Sequence, residues 1–138
     1  MEAKIKHLEF LQGVINRMAQ NSFMLKGWSV IIISALFALA AKDSIKEFVY
    51  LGYFPAIIFW ILDGYFLWQE KLFGKLYDKI RVISNDNIDF SMNTKEFLDK
   101  VSWFKTTFSK TLVLFHLMVL SVLIIVTIII NWRCLFGA

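Results

Sequence analysis

The residues able to do chemistry are few and widely spaced. Asp63 is a carboxylate inside an apolar run, Phe48 to Trp68. A charge at the centre of a membrane span costs about 2.5–3.5 kcal/mol on insertion scales, so a partner or a role is expected for it. Lys26 and Arg17 approach the same end of that run. An Asp63–Lys26 or an Asp63–Arg17 ion pair would lock two helices together; the competing reading makes Asp63 a pore or proton-path residue. We prefer the ion pair. His116 lies in a later apolar run, where an imidazole could relay protons or bind metal. No second ligand stands at metal spacing, so a hydrogen-bonded packing histidine is expected. Lys71, Lys75 and Lys79 form an i, i+4 row that Lys100 and Lys105 could complete as an anionic-ligand or partner surface at the membrane. The plainer reading is a solvated or headgroup-facing stripe.

No nucleophile elbow, phosphate-binding glycine loop, HExxH or CxxC occurs. The single cysteine, Cys134, excludes an intrachain disulfide and a cysteine metal centre; it and the rings of the second span read as interfacial packing. No metal, cofactor or enzymatic activity is expected. The net charge of +4 comes from bases interleaved with membrane anchors, so nucleic acid is not an expected partner.

The elements that must position these groups are helices in lipid. Hydrophobic residues make up 58% and charged residues 19% of 138 residues, against about 25% charged in soluble domains. That excess is too large for so small a core. Residues 2–22 read as an amphipathic helix, with Ile5, Leu8, Phe10, Leu11, Val14, Ile15 and Met18 on one broad face. It could lie in the headgroup plane or pack on the rest of the chain; its Gln and Asn favour packing. It has no secretory-signal pattern.

Three spans follow, at 23–41, 48–68 and 111–132. The first carries Lys26 at its end, able to snorkel, and the small residues Gly27, Ser34, Ala35, Ala38 and Ala41. The second, 21 residues or about 31 Å, contains Pro55, which either kinks it or marks a late helix start. Residues 69–110 read as a helical hairpin: a stalk continuing the second span, a loop at 85–93, and a returning helix. Asn93 and Glu96 would cap that helix as a capping box, and Phe97, Val101, Phe104 and Phe108 would line it. Twelve bases flank the N-terminal and stalk side and three, Lys42, Lys46 and Arg133, the other. The positive-inside rule then puts the N-terminus and hairpin in the cytoplasm.

The stretches HLEFLQGVINRMAQNSFMLKGWSV (His7 to Val30) and FPAIIFWILDGYFLWQEKLFGKLYD (Phe54 to Asp78) carry a resemblance covering roughly the first 80 residues. Their arrangement resembles small multi-helix membrane proteins of bacterial antiphage and conflict systems, the SLATT-like and Csx27-like accessory proteins. That resemblance implies an amphipathic helix before a transmembrane hairpin, a pore or membrane-disrupting role, and no catalytic residues. The expectation is an all-α integral protein of the bacterial inner membrane: N-terminal amphipathic helix, three transmembrane helices, and a cytoplasmic helical hairpin between spans two and three. It would form a homo-oligomer in the lipid bilayer and alter permeability, in antiviral defence. A non-conducting scaffold recruiting a cytosolic defence protein through its stalk is the rival, and a channel or transporter component for routine traffic a third.

Overall fold

A computed structural model of the chain describes residues 2–43 and 45–137; the side chains of Asp43 and Cys134, and with the latter its expected interfacial packing, lie outside the described set. Among the described residues every regular element is helical. Helix α1, Glu2–Asp43, is continuous over 42 residues, about 63 Å at 1.5 Å per residue. The expected division at residue 22 between an amphipathic helix and a span is therefore not a break. No proline interrupts the stretch, and Gly13 and Gly27 stand in open space. Ending a helix orphans backbone groups on both sides of the break, so the ladder runs on.

After a short link the chain forms α2, Glu47–Leu51, and α3, Tyr53–Val82. The interruption falls at Gly52, where an added Cβ would come within 2.8 Å of Leu123 Cδ2. The absent side chain lets the last span approach closely. Pro55 sits in the first turn of α3, where a missing N–H is cheapest, so it marks a helix start rather than a mid-span kink. Helix α3 runs without a break from the second span into the stalk.

The return differs from expectation. Residues 83–109 contain 3-10 turns at Asn85–Asn87 and Lys95–Phe97 and one short helix, α4, Trp103–Thr107. No continuous returning helix forms. Asn93 Oδ1 accepts from Lys95 N (2.9 Å), a local turn bond, while Glu96 is drawn 2.7 Å from Lys79 instead of capping. Ser and Thr side chains compete for backbone groups here: Thr106 Oγ1 donates to Ser102 O and Thr107 Oγ1 to Trp103 O. The expected apolar stripe divides, with Phe97 and Val101 buried and Phe104 and Phe108 exposed. Helix α5, Lys110–Leu135, completes the chain.

Two cores result. At one end Leu11 of α1, Leu72, Leu76 and Ile80 of α3, and Phe97 and Val101 of the return make a small head. From the N-terminal part of α1, Leu11 and Leu8 enter this packing, while Ile5 and Phe10 stay about half exposed. His7 is completely buried, with Nε2 2.8 Å from Ser91 O, and Lys4 N donates to Asn85 Oδ1 (3.1 Å). Trp68 Nε1 donates to Val101 O at 2.8 Å. At the far end Ile33, Ala56 and Leu123 pack together. Tyr50 donates to Asn131 (3.0 Å), and Tyr53 meets Thr127 (2.8 Å), tying α2 and α3 to α5.

Between the cores the surface is apolar: Phe23 is 77%, Phe54 72% and Leu114 71% exposed. Such side chains scattered singly would mean little, but here they cover three helices. Three helices are long and apolar enough to cross a membrane, and this is a membrane protein.

Candidate functional site

The polar centre is built where the three spans approach the head. Ser22 and Lys26 lie one turn apart on α1, Asp63 faces them from α3, and His116 enters from the second turn of α5. Asp63 is wholly buried and His116 nearly so, while the Lys26 side chain retains 22% exposure. One carboxylate oxygen of Asp63, Oδ1, accepts from the Ser22 hydroxyl. The other, Oδ2, lies 2.6 Å from Lys26 Nζ and 2.8 Å from His116 Nε2. Lys26 Nζ also donates to Ser22 Oγ at 2.9 Å. The carboxylate thus has three donors from two neighbouring helices, which is what a charge shielded from water requires.

Nε2 of His116 faces the Asp63 carboxylate and donates to it. His116 Nδ1 has no hydrogen-bond partner among the described residues. The ring is stacked on Trp60, centroids 5.6 Å apart and planes 5° off parallel, with Phe115 edge-on at 5.1 Å. Trp60 is fixed in turn by donating Nε1 to Thr107 O at 2.9 Å. Lys26 Nζ lies 5.9 Å from the Phe115 ring centroid, a cation–π distance.

Chemically the order of the groups matters. Asp63 stands between Ser22 and His116, so the imidazole accepts no proton from the hydroxyl. A nucleophile activated for acyl transfer needs the histidine in the middle. What the arrangement can do is hold three helices in register, or pass a proton between Lys26 and His116 through the shared carboxylate.

Comparison of the chain with protein-family models, curated proteins and solved structures finds no match. The site is therefore read from its own geometry.

Of the residues picked out by sequence, Asp63, Lys26 and His116 come together. Arg17 does not: it is exposed on α1, more than two turns from Lys26, and makes no ion pair among the described residues. Lys71, Lys75 and Lys79 are exposed along α3, with Lys79 held by Glu96. Lys100 lies over the Phe97 ring at 5.7 Å, and Lys105 is exposed on α4. These five lysines do not converge on one cavity. A cleft of about 420 Å³ in the head takes only Lys79 from the set, beside Glu96, Asp89, Asn87 and an apolar floor of Leu76, Ile80 and Ile83. Among described His, Cys, Asp and Glu side chains, no group is placed to hold a metal ion.

Sequence reasoning missed Ser22, Ser29, Trp60 and Thr107. Ser22, Lys26 and Ser29 are spaced four and three apart, a polar stripe on one helical face, and that spacing was the available signal. Ser29 Oγ is buried without a hydrogen-bond partner among the described residues. Just outside the span, burial pushes the Glu70 carboxyl up from the ordinary carboxylate range, opposed by the positive charges of Lys26 and Lys71.

Proposed function

We propose that this protein self-associates in the bacterial inner membrane, N-terminus in the cytoplasm, and that the assembly alters membrane permeability. The observation that carries the reading is the cluster of ionisable groups, Asp63, Lys26 and His116, inside the apolar band. An anchor needs no charge inside a span, where each costs up to about 2.5–3.5 kcal/mol at the centre and less toward the ends. Groups of this kind within spans mark ion or proton paths often enough to make conduction the first hypothesis. Self-association is supported by Gly27, Ser34, Ala35, Ala38 and Ala41, all exposed on α1, since small residues let helices approach in lipid. The orientation follows the twelve-to-three charge count. The defensive setting rests on the resemblance of residues 7–30 and 54–78 alone.

A second reading, a non-conducting scaffold that recruits a cytosolic partner, is favoured by the pairing of Asp63 within a single chain. Purified protein in phosphatidylcholine–phosphatidylglycerol vesicles separates the two. Release of a trapped dye or ion flux that scales with protein is expected, and Asp63→Asn, assayed below its lowered melting temperature, should change the flux per folded protein. Tight vesicles at every protein-to-lipid ratio, with a cytosolic protein retained on the head, would replace the first reading by the second.

A further inference from the structure

The short helix between the head and the last span sits too deep to be part of a water-exposed hairpin. Trp68, an aromatic where the second span meets the head, donates to Val101 O, and tryptophan is enriched at the membrane–water boundary. From Val101 the chain moves away from the head. Thr107 packs on the backbone of Gly64: a Cβ added there would meet Thr107 Cβ at 2.9 Å and Cα at 3.1 Å. Gly64 is adjacent to Asp63 and four residues, about 6 Å of helix rise, beyond Trp68. Thr107 carbonyl also accepts from Trp60 Nε1, which lies further from the head on α3. Residues 101–107 therefore descend to the level of the buried carboxylate before α5 begins.

What they present outward is apolar. Trp103 is 37%, Phe104 65% and Phe108 53% exposed, and the Phe104 and Phe108 rings lie 4.9 Å apart. This patch continues the exposed band of the spans rather than the surface of the head. The backbone is suited to the same place, since an irregular segment at membrane depth must satisfy its own polar groups. Thr106 N donates to Ser102 O (3.0 Å), Phe108 N to Phe104 O (3.2 Å) and Ser109 N to Thr106 O (3.1 Å). The Thr106 and Thr107 hydroxyls turn inward to Ser102 O and Trp103 O. Lys105, between Phe104 and Phe108, and Lys110, just after them, are both exposed and have stems long enough to reach the headgroups.

We propose that residues 102–110 form a lipid-inserted wedge. In it α4 and Phe108 sit among the acyl chains of the leaflet nearest the head, with the Lys105 and Lys110 ammonium groups at lipid phosphates. This rests on the membrane-spanning reading of α1, α3 and α5, not on permeability.

Labelling tests it. In a Cys134→Ser background, Phe104→Cys carries an environment-sensitive fluorophore in phosphatidylcholine–phosphatidylglycerol vesicles. Val82→Cys, in the head and 75% exposed, and Leu117→Cys, on α5 and 48% exposed, serve as references. The label at 104 should emit blue-shifted, lose intensity with shallow nitroxide-bearing lipids, and resist aqueous iodide, as at 117 and opposite to 82. Iodide quenching at 104 equal to that at 82 would overturn the wedge. So would protection from both quenchers, which would mean that protein covers the patch. If 117 is itself quenched by iodide, it is the membrane-spanning reading that fails. Should Phe104→Cys not fold, Trp103→Cys repeats the measurement.

Discussion

Asp63 is a buried carboxylate with three donors, Ser22, Lys26 and His116. Removing one member of a buried charge pair leaves the other uncompensated, which costs about 3–5 kcal/mol, whereas replacing the whole set by apolar groups can be neutral or stabilising. Asp63→Asn should therefore lower the melting temperature in detergent sharply. Asp63→Leu combined with Lys26→Met and His116→Phe should recover most of the loss. A triple variant as unstable as the single one would mean that the cluster is not the source of the loss. Glu70 supplies a pH signature. Its folded-state pKa lies above the unfolded one, so the stability it contributes is present below the unfolded value. It is lost as pH rises through the folded value. Melting temperatures of Glu70→Gln should vary less across the mildly acidic range than those of the parent.

At the scale of elements, glycines report where helices touch. Gly64 is packed so tightly on Thr107 that a methyl group meets backbone as well as side chain. Gly64→Ala should cost about 1–3 kcal/mol, the range for overpacking a filled site. Gly74 on the same helix has nothing within 4 Å, so Gly74→Ala should gain about 0.5–1 kcal/mol from helix propensity alone. Thermal unfolding of the two variants side by side measures how tight the α3–α4 contact is. Equal effects would contradict close packing there.

For the whole molecule the decisive quantity is how much apolar surface one copy leaves uncovered. Ser34 and Ala38 lie on the exposed face of α1 and touch neither core. Ser34→Leu with Ala38→Leu should therefore leave the melting temperature within about 0.5 kcal/mol equivalent, as surface changes usually do. The same double variant should reduce the assembly seen by native mass spectrometry if copies associate through this face. Unchanged stoichiometry would remove the first span from the interface.

Composition and hydropathy by themselves determined that the chain is helical and lives in lipid, because no small aqueous core could bury so many apolar side chains. They also located three stretches long and apolar enough to cross a bilayer, since span length is dictated by bilayer thickness. The cost of an unpaired carboxylate at Asp63 was legible for the same reason: it depends on the medium, not on the fold. Tertiary structure alone decided which partner answers it. Lys26, not Arg17, meets the carboxylate, and His116 arrives from more than fifty residues away, because pairing depends on the register and rotation of helices in contact. It also decided the fate of residues 83–109. Periodicity after the loop at 85–93 matched a helix, but Trp68 and Trp60 take the carbonyls of Val101 and Thr107, and Gly64 seats Thr107.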